Sequence, residues 1–250
     1  MSAPATVTDA WELARRRLYL CTPDRADLDV FVGRCIAGGV DIVQLREKQL
    51  DDSALVRRAT LMQRVCASEG VPFVLNDRPD LAAAMGADGV HVGQDDVPAA
   101  EARLTMGPGA IVGLSTHASD ELAAALGDVP GRAPAPVDYL SAGPVVATPT
   151  KPGRPGTGRG YLTEATGRSP LPVWVTGGVT PDSVAGLVGA GARHFVVVRW
   201  LVEADDPERA ARELRTSIES SLAKLTDRPT DRPTDRPTTA TGPGSEPHPP

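Results

Sequence analysis

The chain of 250 residues is long enough for one large α/β domain or two small ones, and its hydrophobic content of 41% suffices for a substantial core. Its formal net charge of −6 argues against a general nucleic-acid binder, because such proteins neutralise backbone phosphates with a basic surface. The three cysteines show no CxxC spacing, so neither a disulfide framework nor a zinc site is indicated.

The amino-terminal residues give no sign of export. Residues 1–9 lack a basic flank followed by an apolar stretch, and no run in the chain approaches the ~20 apolar residues of a membrane span. We therefore expect a soluble, cytoplasmic protein that has neither nucleic acid nor a membrane as a partner. Residues 1–16 precede the first predicted strand and are interpreted as an amino-terminal extension.

Strand-like and helix-like segments alternate along most of the chain. Apolar segments predict eight strands, at 17–22, 41–46, 72–76, 89–92, 110–115, 137–141, 172–176 and 193–198. Amphipathic or alanine-rich segments predict helices at 27–37, 52–68, 79–85, 99–104, 119–126, 181–188 and 206–222. Eight strands alternating with helices predict a single (β/α)₈ barrel, a TIM barrel, over residues 17–225. A doubly wound open sheet is the alternative, but it usually has a glycine fingerprint after its first strand, and residues 22–25 (TPDR) contain no glycine.

The composition changes at Thr226. From there the tetrapeptide Thr-Asp-Arg-Pro recurs three times, and a segment rich in Thr, Gly and Pro continues to Pro250. Such a composition has almost no apolar group to bury, and its prolines disfavour both helix and sheet. Residues 226–250 are predicted to be a disordered tail, with a partner-binding role as the alternative.

The second predicted strand ends in the sequence QLREK. On a strand, the two-residue period places Gln44, Arg46 and Lys48 on one face. Arg offers a planar fork of donors and Lys a mobile charge, so the pair suits a phosphate or diphosphate group. A solvated strand end with a local pairing of Arg46 and Glu47 is the alternative.

Two carboxylates follow the third and fourth predicted strands. Because barrel active sites lie at the carboxyl ends of strands, Asp77 and Asp96 fall on adjacent loops of the same rim. They could share Mg²⁺, with phosphate oxygens completing the coordination. Capping of the following helices by Asp77 and by Asp95 or Asp96 is the alternative. The nearby Arg46 and Lys48 favour a site for a metal diphosphate.

The fifth and sixth predicted strands are followed by further anion-binding groups. Ser115 ends the fifth strand and is either an anion donor or the cap of the next helix. The long connection at 143–160 carries Thr148, Thr150 and Lys151, which offer two hydroxyls and one ammonium to an anion. Long loops in compact barrels are usually lids or binding loops, and an unconstrained surface excursion is the alternative.

A second anion site is predicted after the seventh and eighth strands. Adjacent Gly177 and Gly178 allow backbone amides to approach a ligand closely, although a plain tight turn would use them too. In barrels this loop and the end of the eighth strand form a common phosphate site. The guanidinium of Arg199 could reach that phosphate; alternatively its stem packs against Trp200 or Leu201 while its head stays in water.

The histidines do not require a base-catalysed reaction. His91 and His194 fall in predicted strands, where a packed imidazole is the commoner outcome, and His248 is in the tail. Only His117 is expected near the mouth of the barrel, in a structural role.

Six segments taken together resemble the thiamine-phosphate synthase family. They are 39–48 (GVDIVQLREK), 75–78 (LNDR), 86–96 (GADGVHVGQDD), 143–145 (GPV), 148–153 (TPTKPG) and 176–179 (TGGV). The similarity extends in order over about residues 17–201, and the combination is far more specific than any single motif.

The resemblance implies a transferase that joins 4-amino-2-methyl-5-hydroxymethylpyrimidine diphosphate to 4-methyl-5-(2-phosphoethyl)thiazole, giving thiamine phosphate and diphosphate. It implies small-molecule substrates and Mg²⁺ bound by Asp77 and Asp96. It assigns the pyrimidine diphosphate to Gln44, Arg46, Lys48, Asn76 and Ser115, both substrates' phosphates to Thr148, Thr150 and Lys151, and the thiazole phosphate to Gly177 and Gly178. Arg46, Lys48, Ser115 and Lys151 are the expected catalytic groups.

Two positions within the matching region depart from the family pattern. Val146 stands where the family often has an aromatic residue, and Arg199 where it usually has serine.

A thiazole tautomerase-like isomerase is one alternative function, although it would not need both carboxylates and both cations. A non-catalytic phosphate-ligand sensor is the other. A homo-oligomer is compatible with the sequence.

Overall fold

The computed structural model of the chain describes residues 10–148 and 155–226. Its strands are β1 (Leu18–Thr22), β2 (Ile42–Leu45), β3 (Phe73–Asn76), β4 (Gly89–Val92), β5 (Ile111–Thr116), β6 (Tyr139–Ala142), β7 (Val173–Val175) and β8 (His194–Val197). Its helices are α1 (Ala10–Arg15), α2 (Leu28–Ala37), α3 (Asp52–Ser68), α4 (Pro79–Met85), α5 (Ala99–Met106), α6 (Ser119–Leu126), α7 (Gly158–Arg168), α8 (Pro181–Gly189), α9 (Arg199–Val202) and α10 (Pro207–Thr226).

The strands form one closed parallel barrel. Each strand pairs with the next along the chain, and β8 returns to pair with β1, where Leu18 lies opposite Phe195. The (β/α)₈ barrel predicted from the sequence is confirmed, and the doubly wound open sheet is excluded because both of its edges would remain unpaired. All eight strands end at one rim, which brings their carboxyl-end loops together.

The core has two layers because strand side chains alternate between opposite faces. On β1, Leu18 and Leu20 point outward and pack with the helices. Tyr19 and Cys21 point inward and join an interior cluster that also contains Trp174. The helices turn their apolar sides to the outer layer, and the interior layer is the floor on which a ligand at the carboxyl-end rim would rest.

Helix α1 lies within the predicted amino-terminal extension, and it belongs to the barrel. Leu13 is fully buried and is a member of the interior cluster. Because α1 leads directly into the amino end of β1, Leu13 fills the end of the barrel opposite the carboxyl-end rim. The described part of the predicted amino-terminal extension thus contributes a side chain to the barrel core.

Other boundaries also differ from the sequence predictions. Helix α7 begins at Gly158, inside the connection predicted at 143–160, and α5 continues to Met106. Thr226, predicted as the first residue of the tail, is the last residue of α10, and residues 227–250 lie outside the described residues. Among the helices of the described segments, none is both long and apolar enough to cross a membrane.

Candidate active site

A pocket with a cavity volume of about 390 Å³ opens at the carboxyl-end rim. It gathers predicted site residues from seven of the eight strand ends and the loops that follow them. They are Gln44, Arg46, Lys48, Asn76, Asp77, Asp96, Ser115, Thr148, Gly177, Gly178 and Arg199. The two remaining predicted residues, Thr150 and Lys151, lie outside the described residues.

An amide pair lies on the floor beneath the β2 and β3 loops. Gln44 and Asn76 are buried at the ends of these strands, and Gln44 Nε2 donates a hydrogen bond to Asn76 Oδ1 over 2.8 Å. This bond leaves the Gln44 carbonyl oxygen as an acceptor and the Asn76 amide nitrogen as a donor. The pair can therefore bind a ligand edge that presents both a donor and an acceptor.

The cations of the QLREK segment reach the pocket from a loop. Strand β2 ends at Leu45, so the prediction that Arg46 and Lys48 share a strand face with Gln44 is wrong. The Arg46 backbone still donates to Thr22 O over 2.8 Å, which holds the start of this loop against β1. Arg46 is half-buried, and Lys48 is exposed at the rim.

Asp77 interacts with one residue from each neighbouring rim loop, Lys48 after β2 and Asp96 after β4. Its φ of 62° is left-handed, a conformation that Asp adopts more readily than bulkier residues. Lys48 Nζ lies 2.6 Å from Asp77 Oδ2, and the Asp77 carboxyl also shares a hydrogen bond with that of Asp96. Asp96 Oδ2 in turn accepts from the Gly93 amide over 2.9 Å. A side chain at residue 93 would collide with this carboxylate, since a Cβ there would lie 2.8 Å from Asp96 Oδ2.

The two carboxyl groups have pKa values that are pushed apart. Burial, with the neighbouring Asp96 carboxylate, raises the pKa of Asp77. Asp96 is also partly desolvated, but hydrogen bonds from Asp77 and from the Gly93 amide lower its pKa. Asp77 therefore retains its proton to a higher pH than Asp96 does.

Helix capping does not account for these carboxylates. The cap position of α4 is Arg78 and that of α5 is Pro98, and neither makes a side-chain capping bond. Two carboxylates from adjacent loops match the donor set that Mg²⁺ takes in phosphate sites, where substrate oxygens and water complete the shell. Within residues 10–148 and 155–226, no group of three or more His, Cys, Asp or Glu side chains could hold a metal ion, so any metal here would depend on the ligand for its remaining contacts.

Ser115 is held from below by a histidine. Its Oγ lies 2.9 Å from His91 Nε2, and its carbonyl oxygen accepts from Gln94 Nε2 over 2.6 Å. The cap position of α6 is Ala118, so Ser115 does not cap that helix. The expectation that only His117 lies near the mouth of the barrel is wrong, because His91 also lines the pocket. The alternation along β4 could have revealed it, because buried Val90 and Val92 face the helices and His91 must face inward.

The other two described histidines are each held by contacts of their own, and the packed position predicted for His194 is confirmed. Glu121 Oε2 accepts from the His117 backbone amide over 2.7 Å and lies 2.9 Å from Nδ1 of its ring, which holds the imidazole at the pocket wall. His194 is buried at the amino end of β8, with Nδ1 2.7 Å from Arg16 O.

The glycine loop after β7 packs directly on the loop after β6. Gly177 and Gly178 have φ values of 87° and 75°, which disfavour any residue with a side chain. A Cβ at residue 177 would lie 2.5 Å from Pro144 Cβ, and one at residue 178 would lie 2.5 Å from Val146 Cγ2. Val146, where the family often has an aromatic side chain, is 51% exposed and lies against Gly178, and it is not among the residues that line the pocket.

Arg199 lies beside this glycine loop at the start of α9. Strand β8 was predicted to end at residue 198, but it ends at Val197. Arg199 therefore lies two residues beyond the strand. Its side chain is exposed, and it makes no hydrogen bond or ion pair with any described residue. A short helix after the eighth strand, next to the loop after the seventh, is the usual position of a phosphate site in barrels.

The fold and the pocket define the class of this protein: a (β/α)₈ barrel with a pocket at its carboxyl-end rim, which is where active sites of barrel enzymes lie. A sequence profile of the family described as thiamine monophosphate synthase matches residues 18–201. The chain belongs to that family, and it is a transferase.

Individual relatives agree with the profile. The chain is 42% identical over 215 residues to the thiamine-phosphate synthase of Thermobifida fusca, which covers 84% of this chain and 96% of that protein. It is 45% identical to the thiamine-phosphate synthase of Thermus thermophilus, over 80% of this chain and 95% of that one. Among solved structures, the thiamine phosphate pyrophosphorylase of Pyrococcus furiosus superposes with a TM-score of 0.72 at 27% identity, covering 82% of this chain and 96% of that chain.

Proposed function

We propose that the chain is a thiamine-phosphate synthase that joins 4-amino-2-methyl-5-hydroxymethylpyrimidine diphosphate to 4-methyl-5-(2-phosphoethyl)thiazole, releasing diphosphate. The observation that carries the proposal is the contact of Asp77 with both Lys48 and Asp96 in a pocket that also contains the glycine loop. Family membership supports the reaction class, and the two anion-binding places support the two substrates.

The pyrimidine diphosphate belongs at the β2–β5 side of the pocket. Gln44 and Asn76 offer an acceptor and a donor to an aminopyrimidine edge, and Arg46 and Lys48 offer positive charge to the diphosphate. Ser115 lies between these groups and the barrel interior. The thiazole phosphate belongs at the opposite side, where Gly177, Gly178 and Arg199 are close to Thr148.

The reaction needs no protein nucleophile. As the bond from the pyrimidine methylene to diphosphate breaks, negative charge grows on the leaving group, and Arg46 and Lys48 are placed to stabilise it. Mg²⁺, held by Asp77 and Asp96, would neutralise the same charge when bound. The pyrimidine-methyl cation is then captured by the thiazole nitrogen, so the protein's task is to bind and align the two partners. Thr150 and Lys151, outside the described residues, are proposed to contact the diphosphate.

Release of diphosphate tests the proposal. We expect purified protein with Mg²⁺ to release diphosphate at useful rates only when both substrates are present, and a chelator to abolish the release. A thiazole isomerase or a phosphate-ligand sensor would release none.

The metal assignment is tested by the double variant Asp77→Ala, Asp96→Ala, which should lose nearly all turnover in the same assay. Asp80→Ala is the matched control, because this exposed carboxylate on α4 pairs with Arg78 outside the pocket. Full activity of the double variant would contradict the assignment of Mg²⁺ to these two residues. The cytoplasmic location and a homo-oligomeric state remain predictions from the sequence.

A further inference from the structure

A chain of hydrogen bonds links the barrel interior to the pocket. Tyr19 Oη lies 3.1 Å from Tyr139 Oη, Tyr139 Oη lies 2.9 Å from His91 Nδ1, and His91 Nε2 lies 2.9 Å from Ser115 Oγ. Tyr19 and Tyr139 are each 1% exposed and Ser115 is 6% exposed. Because buried donors require acceptors, the hydrogens along this chain cannot be oriented independently of one another.

The position of the Tyr139 hydroxyl depends on a glycine in the neighbouring strand. Gly113 lies opposite Tyr139 in the register of β5 and β6. A Cβ at residue 113 would lie 2.1 Å from Tyr139 Cζ and 2.4 Å from its hydroxyl oxygen. The ring also stacks on His91, with 5.6 Å between the ring centroids. Because residue 113 is a glycine, the Tyr139 hydroxyl has room at the position where it contacts the His91 imidazole.

With a neutral imidazole, the chain has two orders of hydrogen donation. In the first, Tyr19 donates to Tyr139, Tyr139 donates to His91 Nδ1, and His91 Nε2–H donates to Ser115. In the second, every bond is reversed and the chain ends on the hydrogen of Tyr19.

The end at Tyr19 distinguishes the two orders. Within the described residues, Tyr139 provides the one oxygen or nitrogen that is hydrogen-bonded to the Tyr19 hydroxyl. The thiol of Cys21 belongs to the same interior cluster, and a thiol is only a weak acceptor. The reversed order would therefore bury a hydroxyl hydrogen without a good acceptor, whereas the first order satisfies every donor along this chain of hydrogen bonds. A doubly protonated His91 would donate to both Tyr139 and Ser115. One tyrosine hydroxyl hydrogen would then lack an acceptor, and Ser115 would still accept from His91.

We propose that Tyr139 and His91 are positioning residues that hold Ser115 as a hydrogen-bond acceptor toward the barrel and as a donor toward the pocket. The hydroxyl hydrogen of Ser115 is then directed at an acceptor atom of the ligand, which is a ring nitrogen or a phosphate oxygen. The identity of that ligand as the pyrimidine diphosphate rests on the proposed function; the order of the hydrogens does not.

The order can be measured in the free protein. We expect ¹⁵N NMR of the imidazoles to show His91 as the neutral Nε2–H tautomer, with the signal assigned by its loss in His91→Gln. In Tyr19→Phe, the tautomer should persist, because Tyr139 can still donate to Nδ1. In Tyr139→Phe, the Nδ1 partner is gone and the two tautomers should mix. An Nδ1–H tautomer in the unmodified protein would overturn the proposal.

Kinetics provide the second readout. Tyr139→Phe should raise the KM for the pyrimidine diphosphate by about three- to tenfold and leave the KM for the thiazole phosphate nearly unchanged. Tyr19→Phe removes an equivalent hydroxyl from the same cluster and should give a clearly smaller change. Equal effects of the two variants would reduce the chain to a packing role and contradict the proposal.

A failure of Tyr139→Phe to fold and a failure of the proposed function can each be distinguished from a failure of this proposal. If Tyr139→Phe does not fold because Tyr19 is left unpaired, the double variant Tyr19→Phe, Tyr139→Phe removes that orphan and should show the same mixed tautomers and raised KM. If the protein releases no diphosphate under any condition, the proposed function fails, while the tautomer of His91 still decides the order of the hydrogens.

Discussion

Three cationic side chains of the described residues line the pocket, and they are held differently. Lys48 forms an ion pair with Asp77, and Arg46 is half-buried at the base of its loop. The Arg199 side chain is exposed and, within the described residues, makes neither a hydrogen bond nor an ion pair. Its neighbour Trp200 is tied to α10 by a hydrogen bond from Nε1 to Ala210 O over 3.1 Å. The backbone of α9 is thus anchored while the guanidinium is available to a ligand.

Arg199→Ser should therefore raise the KM for the thiazole phosphate at least tenfold and leave kcat and the KM for the pyrimidine diphosphate nearly unchanged. A charge-assisted hydrogen bond made equally in the ground and transition states contributes ~1.5 to 3 kcal/mol to binding. Steady-state kinetics with each substrate varied in turn provide the measurement. Arg193→Ser, at the amino end of the same strand, is the control. If the folded Arg199→Ser protein kept its thiazole KM, the guanidinium would be a solvated surface group.

His194 should make stability depend on pH. Burial lowers the pKa of His194 to about 4 from an ordinary value of 6.5, so the folded protein binds its proton less readily than the unfolded chain does. The contribution of this residue to stability is intact above pH 6.5 and is lost as the pH falls toward 4, with a total on the order of 3 kcal/mol. Urea titrations between pH 4 and 7 should show this decline, and His194→Asn should flatten it. Profiles of the two proteins that run parallel would exclude His194 as the cause.

Several site residues could be found from the sequence because the barrel rim concentrates them. Asp77 and Asp96 follow buried strands, and this order alone places them on adjacent loops. His91 was missed because a lone imidazole in an apolar strand usually packs in the core, and only the inward face of β4 reveals its contact with Ser115. Which hydroxyl contacts the His91 imidazole depends on the register between β5 and β6, and this register cannot be predicted from a single sequence.

At the scale of elements, the junction between the loops after β6 and β7 forms the side of the pocket where we propose that the thiazole phosphate binds. Gly177→Ala should destabilise the protein by about 1 to 3 kcal/mol and weaken thiazole phosphate binding, because the new methyl meets Pro144 and the left-handed φ is strained. Calorimetry of unfolding and of ligand binding would measure both effects. Gly167→Ala on α7 is the matched control, since nothing lies within 4 Å of the added methyl and its stability should be equal or higher. An unaltered Gly177→Ala protein would show that this loop can move freely.

Helices and strands could be predicted where the apolar periodicity of the sequence is strong. They were missed where their formation depends on the packing of a few residues. Every predicted strand coincides with an observed one, because buried parallel strands are short apolar runs between turn residues. Helix α7 was missed because its sequence, GRGYLTEATGR, contains three glycines, and it is stabilised by buried Tyr161, Leu162 and Ala165. Helix α1 was also missed; among the described side chains of this short helix, Leu13 is the one that joins the interior cluster.

At the scale of the whole molecule, the repeats after α10 should be dispensable for the barrel. Leu222 and Leu225 of α10 pack against the outer core, so a stop after Thr226 should leave turnover and the thermal midpoint nearly unchanged. A stop after Ser221 removes both leucines and should lower the midpoint by several degrees. Scanning calorimetry and the diphosphate assay on the two truncated proteins test this. A large loss on the first truncation would give the repeats a role in the folded enzyme.

The pairing of β1 with β8 has a consequence for how the protein is made. During synthesis β1 can pair with β2 early, but its other edge has no partner until residues 195–197 have left the ribosome. Through that interval the nascent chain exposes an unpaired strand edge, which is a template for association with other chains. The many sequence-distant contacts of a closed barrel also slow its folding after release. Newly made chains are therefore most exposed to aggregation just before the last strand is translated, and chaperone demand should be highest there.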